Sequence, residues 1–149
     1  MESDRMKSAW IVAPKSVKET HWGSIASWSG IQSTTVKLIK MKKGTRTSFK
    51  YNKLKDEILI CGNGKLRAVY ADQEILSGAG SCIKSDTLTD GSALVVQSEC
   101  PYRLEALEDS LVIEVSSGQE GCVRFADDYG RDTQPGNKYI QEVIEKYWG

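Results

Sequence analysis

The feature that most constrains this chain is a succession of short two-residue-period segments broken by glycine. TTVKLIKMK (34–42) alternates apolar and basic residues with one slip at Leu38-Ile39. EILIC (57–61), KLRAVYA (65–71), SALVVQ (92–97), YRLEAL (102–107) and SLVIEVS (110–116) continue in the same manner. Strands at short, regular spacing point to a sandwich or barrel rather than to βαβ units. Gly62-Asn63-Gly64 is expected to form a hairpin turn between two of them. None of the three prolines interrupts a strongly patterned strand.

The tail has a different period. In NKYIQEVIEKYWG, Tyr139, Ile140, Val143, Ile144 and Tyr147 share one helical face, opposite Gln141, Glu142, Glu145 and Lys146. Two readings follow: a closing helix packed on the sheet, or a subunit contact through Tyr147 and Trp148.

With 149 residues, one domain with a real core is expected. Twenty Lys and Arg balance twenty Asp and Glu, so no broad basic footprint for nucleic acid or anionic membrane is expected. MESDRMKSAW has charges without a following apolar run, and no stretch approaches the roughly 20 apolar residues of a membrane span. A soluble, cytoplasmic protein is the expectation. Cys61, Cys82, Cys100 and Cys122 form no C-x-x-C pair, and His21 is the sole histidine, so a zinc cluster is not expected. Four reduced, mostly buried thiols are. GAGS (78–81) lacks the residues of a P-loop and reads as a surface turn.

The stretch KGTRTSFKYNKLKDEILICGNGK carries the chemistry. Gly44, Lys50, Asn52, Glu57 and Gly64 fall, without a gap, at the offsets of G-x5-H-x-H-x4-E-x6-G, the first motif of the cupin superfamily. For the second motif, G-x5-P-x-G-x2-H-x3-N, Gly91 is followed by Gln97, Glu99, Tyr102 and Ala106 in the remaining slots. HWGSI (21–25), VKLIKMKKG (36–44) and IEVSSG…VRFADDYGR (113–131) resemble, more narrowly, the C-terminal cupin domain of type II mannose-6-phosphate isomerase / mannose-1-phosphate guanylyltransferase.

The resemblance implies an all-β cupin double-stranded β-helix (a jelly-roll barrel) over 16–131, after an N-terminal arm (1–15) and before a short C-terminal α-helix (132–149). It also implies that the metal-ligand positions of working members fall on Lys50, Asn52, Glu57 and Tyr102. A lysine ammonium has no lone pair, Asn52 offers one carbonyl oxygen, and Tyr102 is a neutral phenol, so no metal and no cofactor are expected. A Lys50–Glu57 ion pair is expected instead, plugging the pocket or presenting Lys50 to an anionic ligand. Arg131 closes the family motif and is expected either to meet a substrate phosphate or to pair with Asp127 or Asp128. Lys55 stands where the family has arginine, keeping the charge and losing the planar fork. Trp22 and Trp28 are read as core residues or as stacking platforms for a sugar. Buried Cys61, with no adjacent base, is not read as a nucleophile.

Three functions remain open. The first is a metal-free, non-catalytic or weakly catalytic binder of a sugar, sugar phosphate or protein partner. The second is an active sugar-phosphate isomerase, with Glu57 and Lys50 moving a proton next to a carbonyl. The third is an assembly subunit with a vestigial pocket. A homodimer is expected under all three.

Overall fold

The computed structural model describes residues 6–71 and 83–149. Cys82 and the GAGS segment lie outside the described residues. Strands, numbered in chain order, form two antiparallel sheets. The first contains β1 (Ser16–Thr20), β2 (Gly23–Ser29), β3 (Thr34–Met41), β10 (Ser110–Gly118), β5 (Lys55–Asn63) and β8 (Ala93–Val96), in that spatial order. The second contains β11 (Cys122–Ala126), β4 (Phe49–Asn52), β9 (Tyr102–Ala106), β6 (Lys65–Ala71) and β7 (Ile83–Thr89).

Alternation along each strand assigns its two faces. On β5 and β10 the inward positions are Lys55, Glu57, Leu59 and Cys61, and Ser110, Val112, Glu114 and Ser116. The antiparallel register sets Glu114 opposite Leu59 and Ser116 opposite Glu57. The inward row therefore changes character along its length. At one end Leu59, Cys61 and Val112 join Leu66, Ala68 and Leu104 in the core; burying each large apolar side chain stabilises by about 1.5–3 kcal/mol. At the other end the same row is charged, and a cavity opens.

The expected hairpin at Gly62-Asn63-Gly64 is not formed. β5 and β6 belong to different sheets, so the chain turns a corner there and each strand pairs elsewhere. Gly64, at φ +104°, is the residue that needs glycine: a Cβ would fall 2.4 Å from Ser110 Oγ and 2.6 Å from the Asp109 carbonyl oxygen. A glycine pair marks a hairpin only when the flanking strands can share a sheet. Here their apolar faces are required on both walls of the barrel.

Helix α1 (Lys138–Trp148) starts at Asn137, whose side-chain oxygen accepts the Ile140 N–H at 2.9 Å, and ends at Gly149. Ile140 and Val143 are buried against Phe49, Phe125 and Ala71 on the outer face of the second sheet. The aromatic end is also spent on that sheet. The Trp148 indole N–H donates to Glu105 Oε1 at 2.7 Å, and the Arg103 guanidinium lies 4.6 Å from its ring. The helix closes its own domain, and Trp148 is not left free for a subunit contact. Among the described residues no helix is long and apolar enough to cross a membrane.

Cys61 is buried, whereas Cys100 and Cys122 are half-buried. The expected burial of most thiols holds for Cys61 only among these three. Trp22 is a core residue, at 7% exposure. Trp28 pairs with Val36 across β2 and β3 and sits half-buried on the outer face of the first sheet.

Candidate functional site

A cavity of about 580 Å³ occupies the polar end of the barrel. β5 brings Lys55 and Glu57 into it, β10 brings Glu114, β4 brings Lys50 and Asn52, β3 brings Lys37 and β11 brings Arg124. Arg131 lies at its edge. Six Lys and Arg side chains line it against four Glu.

Glu57 is 3% exposed and is held from two sides. Its Oε1 accepts from Asn52 Nδ2 at 2.5 Å and from the Tyr102 hydroxyl at 3.1 Å. Burial, reinforced by the charge of Glu114 and a hydrogen bond with it, pushes the Glu57 carboxyl up to about 7; Lys55 and Lys50 oppose that rise. Burial beside Glu57 raises the Tyr102 phenol well above its ordinary value, so the hydroxyl stays protonated and donates.

The cation in this cluster is Lys55. Its Nζ lies 3.2 Å from Glu120 Oε1, 3.9 Å from Glu114 Oε2 and 4.0 Å from Glu57 Oε2. Burial opposes the Lys55 charge, but the three carboxylates outweigh it and raise the amine above its ordinary value. Lys37 reaches Glu114 and Glu120 from the other side, at 3.8 Å each. One acceptor is left over: Glu114 Oε2 is buried without a hydrogen-bond partner.

The expected Lys50–Glu57 pair is therefore corrected. Glu57 has its ion-pair contact with Lys55, two residues along the same inward row. Among the described residues no ion pair within 4 Å reaches Lys50, which is half-buried on the cavity wall opposite Tyr102 in the β4–β9 register. Lys55 is nearer the floor because β5 and β10 are hydrogen-bonded neighbours, whereas Lys50 projects from the other sheet. The cavity is not plugged.

Arg131 adopts the paired arrangement. Its Nη2 donates to Asp127 Oδ1 at 2.7 Å, and the Tyr129 and Arg131 backbone N–H groups donate to Oδ2. Burial works against ionisation of Asp127, yet Arg131 and these amides hold its carboxyl down at about 2. Arg131 keeps 40% side-chain exposure and still borders the cavity. His21 stacks on Tyr129 with ring centroids 4.7 Å apart and 8° between planes.

Lys50, Asn52 and Glu57 are thus brought together, with Tyr102 beneath Glu57 and Arg131 at the edge. Sequence reasoning missed Glu114, Glu120, Lys37 and Arg124. For Glu114 a signal existed: in SLVIEVS it shares a face with Val112 and Ser116, so a charge was bound to point inward. Arg124 Nε is also buried without a hydrogen-bond partner.

No family model matches the sequence, and no curated protein matches it. Solved structures do. Oxalate decarboxylase from Bacillus subtilis, at pH 4.6, is 14% identical over 83% of this chain and 34% of its own, with a TM-score of 0.63. The capsular polysaccharide assembling protein CapF from Staphylococcus aureus is 14% identical over 73% of this chain, with a TM-score of 0.56; the chain spans about 30% of its length. KdgF from Halomonas sp. is 19% identical over 65% of this chain and 79% of its own, with a TM-score of 0.53. Two antiparallel sheets around a cavity and these neighbours define a cupin-fold protein.

That fold implies a metal, and the residues here do not fit one. A cation between Lys50, Asn52, Glu57 and Tyr102 would meet one carboxylate, one amide oxygen already turned to leave its nitrogen on Glu57, a protonated phenol and an ammonium. Lys55 already supplies positive charge to the carboxylates. Among the described residues no group of three or more His, Cys, Asp and Glu is arranged to hold a metal.

Proposed function

We propose that this protein binds a small polyhydroxy ligand bearing an anionic group, such as a sugar acid or sugar phosphate, without a metal. The observation that carries this reading is the open cavity with spare donors on its wall. Among the described residues no ion pair within 4 Å reaches Lys50, and none accepts from the buried Arg124 Nε. A buried donor without a partner costs about 1–3 kcal/mol, which an anionic ligand would recover. On the floor, Glu114 Oε2 is an acceptor suited to a ligand hydroxyl.

The test is a thermal-shift series comparing mannose 6-phosphate, glucose 6-phosphate, gluconate and glucuronate with neutral mannose. A ligand at a hundredfold its Kd adds about 2.7 kcal/mol of stability, a rise of several degrees for a chain of this size. The rise is expected for anionic sugars only, and it is lost in Lys50→Ala and reduced in Arg124→Ala. Equal shifts with neutral mannose, or none with any of the five, would sink this reading.

A second reading is a sugar-phosphate isomerase resembling the mannose-6-phosphate enzymes. It is favoured by Glu57, a carboxyl poised near neutrality beside Glu114 and therefore matched to proton transfer. A sugar phosphate that binds in deuterated water and exchanges its C2 hydrogen, with exchange lost in Glu57→Gln, supports it. Binding with no exchange rejects the isomerase and leaves the binder.

A further inference from the structure

Among the described residues, four buried side-chain atoms have no hydrogen-bond partner: Thr20 Oγ1, Ser48 Oγ, Glu114 Oε2 and Arg124 Nε. All four residues line the cavity at the polar end of the barrel. Folded proteins leave few buried polar groups unpaired, so four around one space mark groups that a ligand completes. An anion and a hydroxyl account for Arg124 and Glu114, which leaves Thr20 and Ser48. Asn52, Lys50 and Ser48 line the cavity as alternate residues, about 7 Å apart along the wall. The next in that series is Arg46, bridged to Glu105, and both line a second pocket of about 500 Å³. Thr20 lies in the same direction. Through Gly23 and Met41 it shares the register row of Ser110, about 14 Å along β10 from Glu114. The unpaired groups are strung along the barrel, from the carboxylate floor toward the second pocket.

His21 and Tyr129 line both spaces. Their rings are stacked 4.7 Å apart and within 8° of parallel, and His21 is exposed. The Tyr129 hydroxyl donates to the Arg46 carbonyl oxygen at 3.0 Å, which fixes its ring. Such a surface offers apolar area at little entropic cost to the C–H face of a sugar ring. Beyond it, Asp128 accepts two hydrogen bonds from Arg46 and one from Arg103, and Glu105 accepts two from Arg67 and one from Trp148. Both carboxylates are held in place, and each keeps about one of its roughly four lone-pair sites for a hydroxyl. The charges of this pocket are already matched, Arg46 with Asp128 and Glu105 with Arg67. The unit that fits it is therefore neutral.

We infer that the ligand is an anionic oligosaccharide of at least two units, held across two adjoining subsites, rather than a monosaccharide. Its ionised unit lies at Lys50 and Arg124, and a neutral ring passes Thr20 and Ser48 to rest on the His21–Tyr129 face. This rests on the anionic-sugar reading proposed for the cavity and adds the ligand's length and its second subsite. Both spaces, about 580 and 500 Å³, have the size of small-molecule sites, which run from about 300 to 1,000 Å³. The Thr20 and Ser48 hydroxyls can each donate or accept, so sugar hydroxyls of either polarity pair with them. A ligand confined to the Lys50 end leaves both unpaired.

Isothermal titration calorimetry with two matched pairs tests it: gluconate against maltobionate, and glucose 6-phosphate against trehalose 6-phosphate. Within each pair the anionic group is the same, and the disaccharide adds one neutral glucose ring. The disaccharide is expected to bind at least about tenfold more tightly in one pair or both, a step of about 1.4 kcal/mol. His21→Ala is expected to remove most of that gain and to leave the monosaccharide's affinity within about twofold. Ser48→Ala reduces the gain about threefold to tenfold. Because the Ser48 hydroxyl has no partner in the free protein, the same change leaves the ligand-free melting temperature unchanged or raised, whereas a structural serine would lower it. Equal affinities within both pairs overturn the inference and leave the anionic-sugar reading standing. A gain indifferent to both His21→Ala and Ser48→Ala overturns it as well, by placing the second ring elsewhere. No binding by any of the four overturns it together with that reading.

Discussion

At the scale of single residues, the cavity floor is governed by Glu57. A carboxyl raised from 4.5 to about 7 binds its proton more tightly folded than unfolded. Its contribution, about 3 kcal/mol by linkage, is present below pH 4.5 and is lost as pH rises through 7. Glu57→Gln keeps an oxygen for Asn52 and Tyr102 and cannot ionise. Urea melts of the two proteins are therefore expected to diverge between pH 5 and 8, with the glutamine variant gaining relative to the wild type above pH 7. Parallel curves would show that Glu57 is already ionised when folded. Asp127 has the opposite sign: its depressed carboxyl contributes above the unfolded value of 3.8 and loses that contribution as pH falls through about 2.

At the scale of elements, β4 links the helix to the cavity. Phe49 faces α1 while Lys50 and Asn52 face inward, so the helix braces the strand that presents the candidate ligand contacts. Ile140→Ala empties a fully buried site and is expected to cost about 2–5 kcal/mol in urea denaturation. Weaker binding of anionic sugars should accompany it; an unchanged affinity would show that β4 holds its position without the helix. The strands and the helix were legible because period-two and helical patterns are local properties. The polar end of the barrel was partly legible, since Lys50, Asn52 and Glu57 lie within one stretch. What stayed hidden depended on pairing. Glu114 joins Lys55 and Glu57 only through the pairing of β10 with β5, and Gly64 makes a corner only because β5 and β6 are claimed by other neighbours. Trp148 could not be assigned to its own sheet without knowing that Arg103 and Glu105 face outward from β9.

At the scale of the whole molecule, the barrel separates its duties: one sheet is closed by the helix, no described helix covers the other, and the cavity opens at one end between them. Prolonged dialysis against EDTA is expected to leave the melting temperature and the anionic-sugar shift unchanged, because the carboxylates on the floor already have Lys55 among them. A drop reversed by added manganese or zinc would contradict that account. Lys55 also carries a consequence for the cell. A positive charge written into the polypeptide is delivered with every copy at translation, so this part of the pocket's charge needs no loading step.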